Sequence, residues 1–143
     1  HLQDTALDLA VLGGGPAGYV AAIRGAQLGA RVALVEKDRP GGTCLNRGCI
    51  PTKALVESAR AIELARRSAD LGVDLKAGPV DYARVAARKD RVVARLVGGV
   101  ETLLKGNGVH RLAGRGTLRG PGTIEVTAPG GLRAYEIVDV RFV

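Results

Sequence analysis

The start of the chain shows an apolar run, a helix-like segment and a second apolar run, separated by glycines. Residues 7–12 are almost continuously apolar, which predicts a strand buried on both faces of a parallel sheet. Pro16 suits the first position of a helix, because proline has no N–H to leave unpaired there. We expect that helix over residues 16–28 and a second strand over 31–35, ending at Glu36. This order indicates a βαβ unit.

The middle of the chain is predicted to be helical. After a loop with proline and glycines at 38–43, one helix is expected over residues 45–71, with both cysteines at its start. A second long helix is expected over 82–105, with Asp81 as its N-cap and Gly106 as its C-cap. The predicted apolar stripe of this second helix contains Val85, the stem of Lys89, Val92, Leu96 and Leu103.

From residue 109 onward the apolar period becomes that of strands. Strands are predicted over residues 109–118, 123–127 and 132–137, separated by glycine and proline turns, and together they indicate a small antiparallel meander. Residues 138–143 are expected to form one more strand. The fold class is therefore α/β, with residues 1–6 as a lead-in and residues 7–143 as one domain.

Composition and charge exclude several classes of protein. No apolar run approaches the ~20 residues that a membrane-spanning helix needs, so we expect a soluble protein without a membrane partner. The net charge of +7 comes from arginines scattered along the predicted helices among Asp and Glu, with no aromatic stacking platform beside them. A nucleic-acid partner is therefore not expected. Two cysteines in 143 residues do not form a secreted disulfide scaffold.

A glycine motif follows the first predicted strand. Gly13, Gly15 and Gly18 fit G-x-G-x-x-G, with a strand before them and a helix after them, and Glu36 ends the next strand. The first glycine permits a tight turn, the second lets backbone approach a pyrophosphate, and the third lets helix and strand pack closely. The helix N-terminus would hold the anion, and the carboxylate would accept hydrogen bonds from a ribose. The motif predicts a dinucleotide site but does not distinguish FAD from NAD. The acid at position 36 disfavours NADP, because it would repel the 2′-phosphate of that cofactor.

The two cysteines lie five positions apart, at Cys44 and Cys49. In a regular helix this spacing places the sulfurs on different faces, so a pair requires a distorted segment. Asn46, Gly48 and Pro51 supply the means of distortion. A helix start would lower the pKa of a thiol there, and the thiolate is the form that exchanges with disulfides.

Three interpretations of this pair compete. A structural disulfide would close so short a loop that it stabilises little. A metal site needs more ligands, and the histidines, His1 and His110, are distant in sequence. The remaining interpretation, a redox-active pair beside a cofactor, is the one that we favour. His110 is expected on the surface or on an edge strand.

At these residues the chain resembles the flavin-dependent pyridine nucleotide–disulfide oxidoreductases, and among them the dihydrolipoamide dehydrogenases of bacterial type. Residues 11–19, 35–37 and 41–55 carry the resemblance, which extends weakly through the meander. It implies a Rossmann-like FAD-binding domain that is part of a longer enzyme. The second fingerprint, for NAD, and the dimerisation domain find no counterpart in these 143 residues. We therefore expect the chain alone to be inactive.

The resemblance also implies roles for particular residues. Glu36 would hold the adenosine ribose, Gly116 would contact the adenine, and Lys53 would lie near the flavin ring. Lys53 also has the simpler interpretation of a surface lysine. Cys49 would sit against the flavin, and Cys44 would be the outer thiol. The implied cofactor-binding set is Gly13, Gly15, Pro16, Ala17, Gly18, Glu36, Lys37, Gly42, Thr43, Cys49, Lys53 and Gly116, and the implied catalytic pair is Cys44 and Cys49.

The function that the resemblance implies is the oxidation of dihydrolipoyl groups, with FAD bound and NAD as the acceptor. The implied partner is a lipoyl-bearing 2-oxo acid dehydrogenase or glycine cleavage complex, and the full-length enzyme would be a homodimer in the bacterial cytoplasm. Three alternatives stay open: a mercuric or glutathione-type reductase of the same family, a simple NAD-binding domain, and a nucleotide-binding module without catalysis.

Overall fold

The computed structural model describes residues 7–130 and 133–137, and it divides the chain into two compact units. The sheet unit comprises the chain up to Gly42 and from Val97 onward, and the helical unit comprises Thr43–Leu96. The expected lead-in at 1–6 and the expected strand at 138–143 lie outside the described residues, as does the end of the turn before the last described strand.

A parallel three-stranded sheet forms the base of the sheet unit. Its strands are β1 (Leu9–Leu12), β2 (Val32–Glu36) and β3 (His110–Ala113), in the order β1-β2-β3. Helix α1 (Pro16–Gln27) connects β1 to β2, which confirms the predicted βαβ unit. Burial on both faces is correct for the middle strand β2 but wrong for β1, which is an outer strand of the sheet that the described residues form and has three half-buried residues and an exposed Leu12.

The segment predicted as one strand over 109–118 is wrong, because Gly114 divides it. Its first part, β3, pairs in parallel with β2 and does not belong to the meander. At Gly114 the backbone has φ +157°, and an added Cβ would lie 2.5 Å from the carbonyl oxygen of Thr127. Only glycine fits so close to that backbone, and here the chain leaves the parallel sheet. The meander follows as β4 (Arg115–Gly120), β5 (Thr123–Thr127) and β6 (Arg133–Ile137), paired antiparallel in that order.

Alternation along β2 divides the apolar core of the sheet unit between two faces. One cluster packs around Ala33 and Val35 and includes Leu7, Leu112, Ile124 and Val126, so the meander covers this face. The other packs around Val32 and Leu34 and includes Ala22, Val100, Leu104 and Val109, so α1 and the end of the long helix cover this face. Because successive side chains of a strand point to opposite faces, one buried strand supplies both clusters.

The single helix expected over 45–71 is wrong, because the chain breaks it just before the second cysteine. Helix α2 (Gly42–Asn46) is short, and α3 (Cys49–Arg67) begins after a break at Arg47 and Gly48. A 3₁₀ helix (Ser68–Leu71) extends α3. The distortion that the cysteine spacing requires is therefore present, and it takes the form of two helices.

The long helix α4 (Tyr82–Gly106) has the predicted start. The Asp81 carboxylate accepts a hydrogen bond from the backbone N–H of Arg84 at 3.1 Å, which confirms it as the N-cap. The predicted end is off by two residues, because Gly106 is still helical and Gly108 takes the left-handed conformation, with φ +71°. Within the helical unit, Arg88 Nη1 of α4 donates a 3.0 Å hydrogen bond to the Ala54 carbonyl of α3.

The apolar stripe of α4 lies one residue later than expected. Its buried residues are Val93, Val97, Val100 and Leu104, whereas the predicted Leu96 and Leu103 are 40% and 53% exposed. Val85, Lys89 and Val92 are half-buried. Both spacings fit a helical period, so the sequence pattern alone did not decide which face the fold covers.

Two neighbouring leucines at the end of α4 test which face of this helix is buried. Leu104→Ala should lower the free energy of unfolding by about 2–5 kcal/mol, because Leu104 is 2% exposed in the core of the sheet unit. Leu103→Ala is the matched control, with an expected change within ~0.5 kcal/mol, since Leu103 is mostly exposed. Urea denaturation measures both. Equal losses, or a larger loss at Leu103, would contradict this assignment of the buried face.

Candidate functional site

The glycine turn at the carboxyl end of β1 leaves open space in front of a helix N-terminus. Gly13 has φ +94°, and its N–H bonds to the Val35 carbonyl at 2.8 Å. A Cβ on Gly18 would lie 1.8 Å from the Gly13 carbonyl oxygen, so glycine is required where α1 crosses the turn. A Cβ on Gly15 would meet no atom within 4 Å, and Pro16 follows as the first helical residue. The turn therefore combines an open face with the positive end of a helix dipole, an arrangement that suits a phosphate group.

The loop before α2 packs onto this turn. Gly41 N–H donates to the Gly14 carbonyl at 2.7 Å. Gly42 has φ +63°, and its Cβ would lie 2.8 Å from the Cα of Gly15. Gly42 is thus close to the glycine turn within the sheet unit, and its role in cofactor binding stays a prediction. Thr43 is exposed, and its role in cofactor binding stays a prediction.

Glu36 lies at the carboxyl end of β2 and contacts the glycine turn directly. Its Oε2 accepts the Gly14 N–H at 2.7 Å, and its Oε1 accepts the Asp38 N–H at 2.8 Å. Sequence reasoning expected this carboxylate at a ribose and missed its bonds to backbone. The spacing between motif and acid does not reveal which atoms the acid bonds in the folded chain.

A cleft of about 300 Å³ opens beside Glu36. Four predicted cofactor residues line it: Gly13, Glu36, Lys37 and Gly116. Sequence analysis missed the other residues of the lining, which are Leu12, Val35, Gly114 and Arg115. A carboxylate beside an open helix N-terminus suits an adenosine diphosphate group, since the acid can accept from ribose hydroxyls and the turn can hold phosphate. The residues present therefore fit the adenosine end of a dinucleotide.

Gly116 also has a packing role that needs no ligand. An added Cβ there would lie 2.4 Å from Leu12 Cδ2 and 3.1 Å from Val35 Cγ1. Glycine at this position is therefore required by the contact between β4 and the ends of β1 and β2. Its contact with an adenine stays a prediction.

The two cysteines face each other across the helix break of the helical unit. Cys44 lies in α2 and is half-buried, and Cys49 is the first residue of α3 and is exposed. A Cβ on Gly48 would lie 3.1 Å from the Thr43 carbonyl oxygen and 3.4 Å from the Cα of Cys44. This close approach lets the chain turn back within four residues of Cys44. The two side chains are consequently close enough for Cys49 to influence the pKa of Cys44.

This pairing sets the titration of the half-buried thiol. The hydrogen bond to Cys49 raises the pKa of Cys44, and burial and the negative charge of Cys49 raise that pKa further. The Cys49 backbone and the positive charge of Lys53 act in the opposite direction on the same pKa. For Cys44 the expected lowering by a helix start is therefore wrong, because the neighbouring sulfur outweighs it.

The remaining candidates lie as follows. Lys53 and Ala17 are exposed, and His110 is exposed, as expected, on β3, an outer strand of the sheet within the described ranges. Among the described residues no group of three or more His, Cys, Asp or Glu side chains could hold a metal ion. No helix in that part of the chain is long and apolar enough to cross a bilayer.

A larger cavity, in the helical unit, contains none of the predicted site residues. It measures about 530 Å³ and lies among α3, the segment 77–81 and α4, with Arg84, Arg88 and Arg91 on its α4 side. Its apolar wall is formed by α3, through Ala61, Ile62 and Ala65. Size alone therefore does not identify the site in this chain.

Two glycines of the turn should respond differently to a methyl group. Gly18→Ala should lower the free energy of unfolding by about 1–3 kcal/mol, because its Cβ collides with the Gly13 carbonyl. Gly15→Ala should leave stability within ~0.5 kcal/mol but weaken ADP binding about tenfold or more, because the methyl fills the open anion space. Thermal unfolding and calorimetric titration measure the two effects. Full ADP affinity in folded Gly15→Ala would exclude the turn as the phosphate site.

The thiol pair makes a second prediction. Cys49→Ala removes the hydrogen bond and charge that raise the pKa of Cys44, so that pKa should fall. More Cys44 is then thiolate at neutral pH, and its alkylation should become several-fold faster. Lys53→Gln should slow the same reaction, because Lys53 acts to lower that pKa.

Iodoacetamide labelling followed by peptide mass mapping measures Cys44 separately from Cys49. Cys49→Ser is the matched control, since its hydroxyl keeps a hydrogen-bonding partner but no ionisable sulfur, and an intermediate rate is expected. Unchanged or slower labelling of Cys44 in Cys49→Ala would contradict the effect of Cys49 on the pKa of Cys44.

Comparison with known proteins identifies the family to which the chain is related. The chain is 47% identical over 121 residues to dihydrolipoyl dehydrogenase of Acholeplasma laidlawii, covering 83% of this chain and 36% of that protein. It is 46% identical over 136 residues to dihydrolipoyl dehydrogenase of Halobacterium salinarum, covering 94% of this chain and 28% of that protein. The match to dihydrolipoyl dehydrogenase 2 of Haloarcula marismortui is 50% over 126 residues, covering 88% and 26%.

The chain thus spans between 26% and 36% of the length of these curated relatives. A family model described as pyridine nucleotide-disulphide oxidoreductase matches residues 7–136, which is most of the chain. The α/β fold, the glycine turn and the adjacent thiol pair agree with that match. This protein therefore belongs to the pyridine nucleotide-disulphide oxidoreductase family.

Proposed function

We propose that residues 7–143 are the FAD-binding domain of a dihydrolipoyl dehydrogenase, which oxidises dihydrolipoyl groups through Cys44 and Cys49 and uses NAD as the final acceptor. The observation that carries the proposal is the thiol pair itself. Two cysteines that a helix break and the close approach of Gly48 to the Cys44 backbone bring together can form and reopen a disulfide with little movement of the chain. Relatives at 46–50% identity bear the name dihydrolipoyl dehydrogenase, which favours this member of the family.

The adenosine end of FAD would be held by the sheet unit. Glu36 would accept from the ribose hydroxyls, and the open turn at Gly13–Gly18, with Pro16 and Ala17 starting the helix, would hold the pyrophosphate. Lys37 and Gly116 line the same cleft. Gly42, Thr43 and Lys53 are proposed toward the flavin side. Bound FAD would supply two-electron chemistry, accepting electrons from a dithiol and passing a hydride to NAD.

The chain's own chemistry is thiol–disulfide exchange. One thiolate of the dihydrolipoyl group attacks Cys44 Sγ of the oxidised pair, which breaks the Cys44–Cys49 bond and releases Cys49 as thiolate. The second thiolate of the dihydrolipoyl group then attacks the substrate sulfur that is bonded to Cys44 Sγ. This closes the substrate disulfide and releases Cys44 as thiolate. The substrate has lost two electrons and become a cyclic disulfide, and the protein pair has gained them as a dithiol.

The proposal assigns a different role to each of the two sulfurs. Cys44 would exchange with substrate, and Cys49 would lie against the flavin when FAD is bound. The lipoyl-bearing partner, a 2-oxo acid dehydrogenase or glycine cleavage complex, is also proposed, as are the homodimer and the bacterial cytoplasm. Binding of NAD and dimerisation are assigned to parts of the enzyme outside these 143 residues.

Steady-state assay of the full-length protein that carries this chain tests the proposal. With FAD bound, dihydrolipoamide and NAD should support turnover, and Cys44→Ser or Cys49→Ser should each reduce it to background, because neither single thiol can form the disulfide. Cys44→Ser and Cys49→Ser should still bind FAD, since the sheet unit is unchanged, and flavin absorbance after gel filtration checks this.

Assays with the substrates of other members of the family give the outcomes that would contradict the proposal. Turnover with mercuric ion and NADPH, or with glutathione disulfide and NADPH, in the absence of dihydrolipoamide activity would assign the chain to another member of the family. Full dihydrolipoamide activity in either cysteine variant would exclude the redox pair. Release of NAD instead of FAD from the denatured protein would indicate a simple NAD-binding domain.

A further inference from the structure

The Glu36 residue joins three segments at the carboxyl end of the parallel sheet. Its carboxylate bonds to the N–H of Gly14 in the glycine turn at 2.7 Å and to the N–H of Asp38 at 2.8 Å. Its backbone carbonyl accepts the N–H of Gly114 at 3.0 Å, where the chain passes from β3 to β4. These three contacts surround the cleft on the sides formed by the glycine turn, by the end of β2 and by the start of the meander.

The contact with the glycine turn is tight as well as polar. A Cβ on Gly14 would lie 3.3 Å from Cβ, Cγ and Oε2 of Glu36. Gly14 is buried, and its own carbonyl accepts the Gly41 N–H at 2.7 Å. The peptide units on both sides of Gly14 are therefore fixed, one by the carboxylate and the other by the loop. The orientation of the neighbouring Gly15, which has open space beside it, depends on these bonds.

We propose that Glu36 is a positioning residue, whose carboxylate holds the glycine turn in its phosphate-binding shape before any ligand arrives. This role is separate from the ribose contact and rests on the proposed function only for the identity of the ligand. A carboxylate suits the role because its two oxygens accept from two backbone N–H groups at once. An amide of the same size offers one oxygen, and its NH₂ group would face the second N–H.

The two roles of Glu36 predict opposite effects of its neutralisation on the affinity for phosphate. A carboxylate close to a phosphate site repels the anion, so an acid that contacts only the ribose should weaken phosphate binding. Its neutralisation would then strengthen binding of a ligand that lacks ribose hydroxyls. If the acid also shapes the turn, neutralisation disorders the N–H groups that hold the phosphate, and the same ligand binds more weakly.

Hydrogen exchange in the ligand-free protein tests the positioning role directly. In Glu36→Gln the amides of Gly14 and Asp38 should both exchange faster, by about tenfold or more where the bond is lost, because only one oxygen remains and a neutral amide oxygen is a weaker acceptor than a carboxylate. Asp8→Asn is the matched control. The Asp8 carboxylate accepts the Arg31 N–H at 2.8 Å at the opposite end of the same strands, so this variant should leave exchange at Gly14 unchanged.

Glu36→Asp keeps the charge but shortens the side chain, and it should also speed exchange at Gly14. It provides a second variant if Glu36→Gln unfolds, and thermal unfolding establishes which variants are folded. Unchanged exchange at Gly14 in a folded Glu36 variant would overturn the proposal, whatever the ligand proves to be.

Binding of ADP and of 2′,3′-dideoxy-ADP separates the two roles in the presence of ligand. The dideoxy compound has no ribose hydroxyl for Glu36, yet its affinity should fall about fivefold to tenfold in Glu36→Gln and stay at the parent value in Asp8→Asn. If Glu36→Gln binds the dideoxy compound as tightly as the parent protein or more tightly, Glu36 contacts only the ribose and does not position the turn. If neither compound binds the parent protein, the proposed cofactor site fails, whereas the exchange result on the free chain stands by itself.

Discussion

The close approach of backbone segments at the carboxyl end of the parallel sheet is the constraint on which the sheet unit depends. Three glycines make it possible, since a Cβ would lie 1.8 Å from a neighbouring atom at Gly18, 2.8 Å at Gly42 and 2.4 Å at Gly116. Each contact brings a different segment to the same edge: a helix, a loop and the meander. Of these three glycines, Gly116 lines the cleft beside Glu36.

The helical unit uses glycine in the same way for a different chemistry. At Gly48 the chain comes within van der Waals distance of the Cys44 backbone, so two cysteines that a continuous helix would separate become neighbours. The cost is a broken helix, and α3 begins without a side-chain cap. In return Cys49 is close enough to raise the pKa of Cys44. Proximity of the sulfurs and the titration of Cys44 thus have one structural origin.

Features with a local cause could be predicted from the sequence. The βαβ unit, the Asp81 cap and the glycine spacing follow from neighbouring residues, and the cysteine spacing required a distortion that the structure shows. Features set by distant contacts could not be predicted. The stripe of α4 depends on which face the sheet covers, and the break at Gly114 depends on a carbonyl of β5. The bonds of Glu36 to backbone and the raised pKa of Cys44 likewise arise only when the folded chain brings partners together.

The central claim is that the dithiol and a flavin exchange electrons in this protein. Anaerobic titration of the FAD-loaded full-length protein with a chemical reductant, followed by absorbance and by a count of free thiols, tests it most directly. The account predicts that the first electron pair frees two thiols and gives a new long-wavelength absorbance while the flavin remains oxidised. Bleaching of the flavin by that first pair, with no thiol released, would contradict it.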